Sequence, residues 1–218
     1  MVIDVIIGIL LIIASYLIGS IPCGLLIGKA KGKDLRENGS GNIGSTNAVR
    51  TLGLKLGVLS GICDLAKGTV IILLVYLLES QQIWFNPFVI NGDSLYALYG
   101  VAAVVGHCFP IYLKFKGGKA VATSLGVLFA TVPWSAFAAL VLFLIAMLIT
   151  GIVSLSSSLG TLAAWITTFI VYGFTLHHNI ASCLVISVLA FLIFFKHIPN
   201  YKRLLNGTEY SFKKKKQE

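Results

Sequence analysis

The chain has 218 residues, of which 57% are hydrophobic and 11% charged, and it carries a formal net charge of +9 at pH 7. That leaves too few polar side chains to coat a soluble domain of this length, so the composition excludes a water-soluble enzyme and points to a protein dissolved in lipid. No Lys, Arg, Asp or Glu occurs between Lys119 and Lys196, a gap that a helix face meeting water does not sustain.

Hydrophobic tracts run from about Val2 to Gly28, Leu54 to Leu78, Leu95 to Leu113, Ala120 to Thr150, Ile152 to Leu176 and Ile180 to Phe195. The first contains Asp4 and lacks a basic start and a small-residue cleavage site, so it is expected to be a retained helix and not a signal peptide. Pro133 sits near the middle of the fourth tract, where it breaks the backbone hydrogen-bond ladder. Lys29, Lys31, Lys33 and Arg36 follow the first tract, Lys114, Lys116 and Lys119 the third, and Lys202, Arg203 and Lys213 to Lys216 the last. By the positive-inside rule these loops face the cytoplasm, while Glu79 to Ser94 and His177 to Asn179, which contain no Lys or Arg, face outward.

Passing from Lys119 inside to His177 outside takes an odd number of crossings, and three fit the length. The expectation is an all-α, polytopic membrane protein of seven transmembrane helices, N-terminus out and C-terminus in. The fourth helix must then be short and tilted, or partly sunk in protein. The whole of 1–218 is expected to form one membrane-embedded domain, with a basic cytoplasmic tail over about 202–218 anchored to anionic lipid. Cys23, Cys63, Cys108 and Cys183 show neither CxxC spacing nor paired histidines, which reads as small buried apolar residues instead of disulfides or a metal centre.

The first cytoplasmic loop contains Ser40-Gly41-Asn42-Ile43-Gly44-Ser45-Thr46-Asn47-Ala48-Val49-Arg50. Glycines let the main chain curl with its amides inward, Ser40, Asn42, Ser45, Thr46 and Asn47 add neutral donors, and Arg50 supplies a bidentate fork for phosphate. An ordinary turn needs neither that length nor that density of donors. The second loop runs from Gly106 and His107 to Lys116-Gly117-Gly118-Lys119, and its glycine pair lies between lysines at a helix N-terminus, where free amides and the helix dipole favour an anion. Taken alone, these lysines are also plain topology signals.

In the last segment His197, Asn200 and Arg203 recur every three residues, which places them on neighbouring helical positions near the headgroups. Ser154, Ser156, Ser157 and Ser158 either donate to substrate or tie helices together. Asp64 and Lys67 share one face of the second tract and are expected to form an ion pair shaping the site from below. His177 and His178 are expected to be incidental.

The stretches SGNIGSTNAVR from Ser40, GHCFPIYLKFKGGKA from Gly106 and HIPNYKRLLNGTE from His197, with Gly19-Ser20-Ile21-Pro22 and Asp64-Leu65-Ala66-Lys67-Gly68, resemble the bacterial acyl-phosphate glycerol-3-phosphate acyltransferase family. One departure is Ala120, where the family often has glycine. The resemblance implies a multi-pass protein of the bacterial cytoplasmic membrane with a site facing the cytoplasm. It implies an acyl-phosphate donor, glycerol 3-phosphate as acceptor at its sn-1 hydroxyl, and lysophosphatidic acid and phosphate as products. No cofactor, coenzyme A or nucleic-acid partner is implied, and coupling to the enzyme that makes acyl phosphate is. Ser40, Arg50, Lys116, Ser154, His197 and Asn200 occupy matching positions.

With an activated mixed anhydride as donor, positioning both substrates dominates the chemistry, and direct transfer without an acyl-enzyme is expected. The expected catalytic set is Ser40, Arg50, His107, Lys116, Ser154 and His197. The expected substrate-binding set is Gly41, Asn42, Ser45, Thr46, Asn47, Gly117, Gly118, Lys119, Asn200 and Arg203. His107, His197 or the leaving phosphate accepts the proton. An organic-phosphate transporter is the rival from another class, but the phosphate motifs cluster on one face and no inverted repeat is evident. A non-catalytic scaffold leaves the loops unexplained.

Overall fold

The computed structural model describes residues 2–90, 93–175 and 179–213. His177, His178 and Lys214 to Lys216 lie outside the described residues. The chain packs as two compact units, Met1–Thr131 and Val132–Glu218.

In the first unit the N-terminal tract is interrupted. Helix α1 (Val2–Ser20) ends before Pro22, and α2 (Cys23–Lys29) follows. A long loop leads to α3 (Ser45–Leu52), and Gly53 at φ +88° turns the chain into α4 (Leu54–Ser80). Strands β1 (Val89–Ile90) and β2 (Asp93–Ser94) pair antiparallel, Val89 opposite Ser94, the only departure from an all-helical fold among the described residues. Next come α5 (Tyr96–Cys108), a 3-10 turn at Ile111–Leu113, and α6 (Val121–Thr131). Buried Leu25, Leu35, Ile43 and Ala48, with Leu52 and Leu113 against them, form an apolar core that fixes the α2–α3 loop.

Helix α6 is 11 residues long. It lies backbone-to-backbone on α4, because a Cβ at Gly68 would come 2.1 Å from Thr123 O and one at Gly126 would come 2.1 Å from Leu65 O. Thr69 Oγ1 adds a hydrogen bond to Gly126 O at 3.0 Å. Small residues permit this approach in a medium that offers no hydrophobic drive between helices.

The second unit holds α7 (Pro133–Thr150), α8 (Val153–Thr168), which widens into π-type turns over Phe169–Thr175, and α9 (Ile180–Leu205). Pro133 occupies the first turn of α7, where its missing N–H costs nothing, and Val132 before it, at φ −138° and ψ 69°, is not helical. The break foreseen in the fourth tract is therefore present. Gly151 at φ +68° reverses the chain between α7 and α8, and Thr168 Oγ1 donates to Ser135 Oγ at 2.8 Å.

After α9 the chain folds back. Phe212 N donates to Gly151 O at 2.9 Å, Ser211 Oγ to Thr150 O at 3.1 Å and Lys213 Nζ to Ile149 O at 3.0 Å. Within the stretch expected as a basic tail, the helix runs on to Leu205. Lys202 and Arg203 belong to α9, and the chain to Lys213 caps the carbonyls that the end of α7 leaves unpaired.

The polarity is inverted relative to a water-soluble protein. Ser15, Ser20, Ser60, Thr123, Ser124, Ser135 and Thr168 are buried, whereas Ile6, Leu10, Leu74, Leu148 and Phe191 face outward. Among the described residues, six helical segments are long and apolar enough to cross a membrane: Val2–Lys29, Leu54–Ser80, Tyr96–Leu113, Pro133–Thr150, Val153–Phe174 and Ile180–Leu205. Helix α6 falls short, since 1.5 Å per residue carries it about 16 Å against a hydrocarbon layer of about 30 Å.

Candidate active site

The α2–α3 loop is organised around one side chain. Asn47, 1% exposed, shares its two Nδ2 hydrogens among three carbonyls, Leu35 O and Asn38 O, each at 2.9 Å, and Asn42 O at 2.8 Å. Its Oδ1 accepts Ser40 N at 2.8 Å. Asn47 is therefore spent on the loop backbone, which makes it a positioning residue where the sequence suggested a substrate contact.

Gly39 and Gly41, at φ +63° and +70°, make the left-handed turns that wrap the loop around it. Ser40 and Gly41 stay exposed, Asn42 Oδ1 accepts Gly44 N at 2.9 Å, and Ser45 opens α3 with Thr46 behind it and Arg50 one turn further along. Arg36, a topology signal in the sequence, is forked onto Asp34, whose carboxyl its hydrogen bonds hold down at about 2.

The second loop turns back onto its own helix. Lys114 and Phe115 take positive φ, Gly118 N donates to His107 O at 3.0 Å, and α6 starts at Val121. Lys114 and Lys116 are exposed, Lys119 is half-buried, and Gly118 is packed so closely that a Cβ on it would lie 2.2 Å from His107 Nε2. Gly117 has no more room, with a Cβ 2.2 Å from His107 O. Ala120 sits at φ +56°, a conformation that costs an L-residue about 1–2 kcal/mol and that glycine adopts freely.

Beneath this loop the expected Asp64–Lys67 pair forms at 2.9 Å, with both side chains buried. It is part of a larger node. Lys67 Nζ also donates to Ile21 O at 2.9 Å, where Pro22 interrupts the first tract, and lies 3.0 Å from His107 Nδ1.

In the second unit, three candidates converge on a residue to which the sequence assigned no role. Glu209 Oε1 accepts Ser154 Oγ at 2.8 Å and Asn200 Nδ2 at 2.7 Å, and Oε2 accepts Arg203 Nε at 2.7 Å. Burial pushes the Glu209 carboxyl up, but hydrogen bonds from Asn200, Arg203 and Ser154 outweigh it and hold the group below the ordinary glutamate range. The signal available in the sequence is that Glu209 is the one acid between Lys196 and Lys213.

His197, 2% exposed, lies on the same helix and bonds through Nδ1 to Ile193 O at 2.8 Å. Its ring stacks on Tyr201, whose hydroxyl meets Ser158 Oγ at 2.8 Å. Ser156 bonds back to Ile152 O, so of the serines it is Ser154 that faces the carboxylate.

The family model described as glycerol-3-phosphate acyltransferase matches residues 9–207. A glycerol-3-phosphate acyltransferase of Bacillus subtilis (strain 168) is 45% identical over 201 residues, 92% of this chain and 95% of its own. One from Geotalea daltonii (strain DSM 22248 / JCM 15807 / FRC-32) is 42% identical, covering 94% and 98%. The crystal structure of PlsY (YgiH), an integral membrane glycerol 3-phosphate acyltransferase, in its glycerol 3-phosphate form matches with a TM-score of 0.82 at 38% identity, over 94% of this chain and 95% of that one. Its lysophosphatidic acid form matches with a TM-score of 0.80 at 37% identity, over the same shares. With the fold and the polar loops matched along nearly the whole chain, this protein belongs to the glycerol-3-phosphate acyltransferase family of integral membrane proteins.

Proposed function

We propose that this chain transfers an acyl group from acyl phosphate to the sn-1 hydroxyl of glycerol 3-phosphate, giving lysophosphatidic acid and phosphate, at the cytoplasmic face of the bacterial inner membrane. The observation that carries the reading is the likeness, over 94% of the chain, to a relative solved in a glycerol 3-phosphate form and a lysophosphatidic acid form. Two glycine-rich basic loops suit two phosphorylated substrates. Arg50 offers a planar fork, and exposed Ser40 and Gly41 border a loop held by Asn47. Lys116 and Lys119 flank Gly117 and Gly118 ahead of α6, with the Gly118 N–H donated to His107 O and so holding the loop in place.

An acyl phosphate brings its own leaving group, so the site holds the hydroxyl and the carbonyl together and stabilises charge on the departing phosphate. Such an anhydride also hydrolyses in water, which favours delivery at the membrane from the enzyme that makes it. The test is protein in detergent mixed with acyl phosphate and glycerol 3-phosphate, without coenzyme A. Lysophosphatidic acid is expected to form without a sealed vesicle, which a transporter would need. Arg50→Lys keeps the charge and loses the fork, so kcat/KM is expected to fall by about tenfold or more. Turnover with acyl-coenzyme A alone would overturn the donor, and a silent Arg50→Lys would remove Arg50 from the site.

A further inference from the structure

A lysine ammonium has three N–H donors, and Lys67 Nζ has three acceptors around it: Asp64 Oδ1 at 2.9 Å, Ile21 O at 2.9 Å and His107 Nδ1 at 3.0 Å. Two N–H groups do not bond head to head, so the third contact requires a lone pair on Nδ1. A neutral imidazole with its lone pair on Nδ1 carries its proton on Nε2. Charge balance points the same way. Asp64, Lys67 and His107 are 2%, 6% and 6% exposed, and one carboxylate, one ammonium and one neutral ring sum to zero, whereas an imidazolium would leave a buried cation uncompensated. Asp64 Oδ1 stands 3.5 Å from Nδ1, half an ångström beyond the Lys67 contact, and the shorter contact decides which group Nδ1 bonds. The opposite edge of the ring meets the phosphate loop, because Nε2 lies against Gly118, whose N–H is itself donated to His107 O.

We infer that His107 is a fixed hydrogen-bond donor whose Nε2–H is directed at a phosphate oxygen of substrate held over Gly117, Gly118 and Lys119. Lys67 is the positioning residue that sets its tautomer. His107 is then not the proton acceptor in acyl transfer, because taking a proton on Nδ1 would set an imidazolium against the Lys67 ammonium. That leaves His197 and the departing phosphate for the acceptor role. The inference rests on the acyltransferase reading for its substrate, while the tautomer stands on geometry alone.

The first arm of the test needs no turnover. In protein labelled with 15N at histidine, in detergent, the His107 signals are assigned by their loss in His107→Gln. The expected spectrum of the neutral ring shows an unprotonated Nδ1 and a protonated Nε2, and Lys67→Met abolishes that preference. A protonated Nδ1 with a lone pair on Nε2 would overturn the inference.

The second arm is kinetic, on variants that match wild type in thermal unfolding. Gln places an amide near the Nε2 position, whereas Asn reaches only the Nδ1 position. His107→Asn is expected to raise KM for one phosphate substrate about tenfold or more above that of His107→Gln, with a smaller change in kcat. The substrate whose KM moves, glycerol 3-phosphate or acyl phosphate, is the one bound over the loop. Equal losses of about 10²–10⁴-fold in kcat for both variants, with the acidic limb of the pH–rate profile gone, would make His107 a base and sink the inference. Wild-type protein inactive on both substrates together would sink the acyltransferase reading instead, and the 15N arm would still decide the tautomer.

Discussion

At Glu209 two physical effects oppose each other: burial favours the neutral acid, and hydrogen bonds from Asn200, Arg203 and Ser154 favour the carboxylate and prevail. A carboxyl held below its unfolded value stabilises the fold at neutral pH, and that stability is lost as pH falls through the depressed value. Thermal unfolding in detergent, followed from neutral pH down through the carboxylate range, is expected to decline more steeply for wild type than for Glu209→Gln. Parallel profiles would remove Glu209 from the network. The three donors are not equivalent. Arg203, with a side chain 45% exposed, is screened by water, and Arg203→Ala is expected to cost about 1 kcal/mol or less. Buried Asn200 bonds a charged group, and Asn200→Ala is expected to cost about 1–3 kcal/mol. Ser154, Asn200 and Arg203 were legible in the sequence because their chemistry at a membrane boundary is conspicuous. Glu209 was not, because its role depends on the chain turning back after Gly207, at φ +68°, which no helical periodicity records.

Among the elements, the returning segment Ser211 to Lys213 is the least expected. A run of lysines reads as a solvated anchor, yet Lys213 spends its ammonium on Ile149 O, one of the last carbonyls of α7. Two truncations separate cap from anchor. A stop after Lys213 is expected to leave thermal unfolding and acyl transfer nearly unchanged. A stop after Thr208 removes Glu209 and the bonds to Thr150 and Gly151, and is expected to lower the unfolding temperature by several degrees and the yield of folded protein. Equal behaviour of the two would show that the segment carries no fold. The helical tracts themselves were plain from hydropathy, and Pro133 marked its own break. The interruption at Pro22 was not foreseen, because no charge breaks the run from Val5 to Gly28. That interruption leaves Ile21 O facing Lys67, a use visible only once α1 and α4 are packed.

At the scale of the whole molecule, the lysine and arginine asymmetry calls for an odd number of crossings between Lys119 and His177, and the seven-crossing expectation counts α6 among them beside the six longer apolar helices. In a background lacking the four native cysteines, reporter cysteines at Ser45 and Lys213 are expected to label from the cytoplasmic side, and at Gln82 and His178 from the outside. Labelling of Ser45 and Gln82 from one side would sink the seven-crossing arrangement. Sequence alone suggests a sidedness, because charge is a property of loops, and the labelling decides it. Pro133 marks where short α6 ends, whereas its close glycine contacts with α4 appear only in the packed structure.

That shortness has a consequence for the surrounding lipid. A helix reaching about 16 Å does not match a hydrocarbon layer of about 30 Å, and each ångström of mismatch costs a fraction of a kcal/mol. None of the residues Val121–Thr131 is exposed, so protein and not the bilayer takes up that mismatch, and the lipid around the molecule meets the longer apolar helices instead.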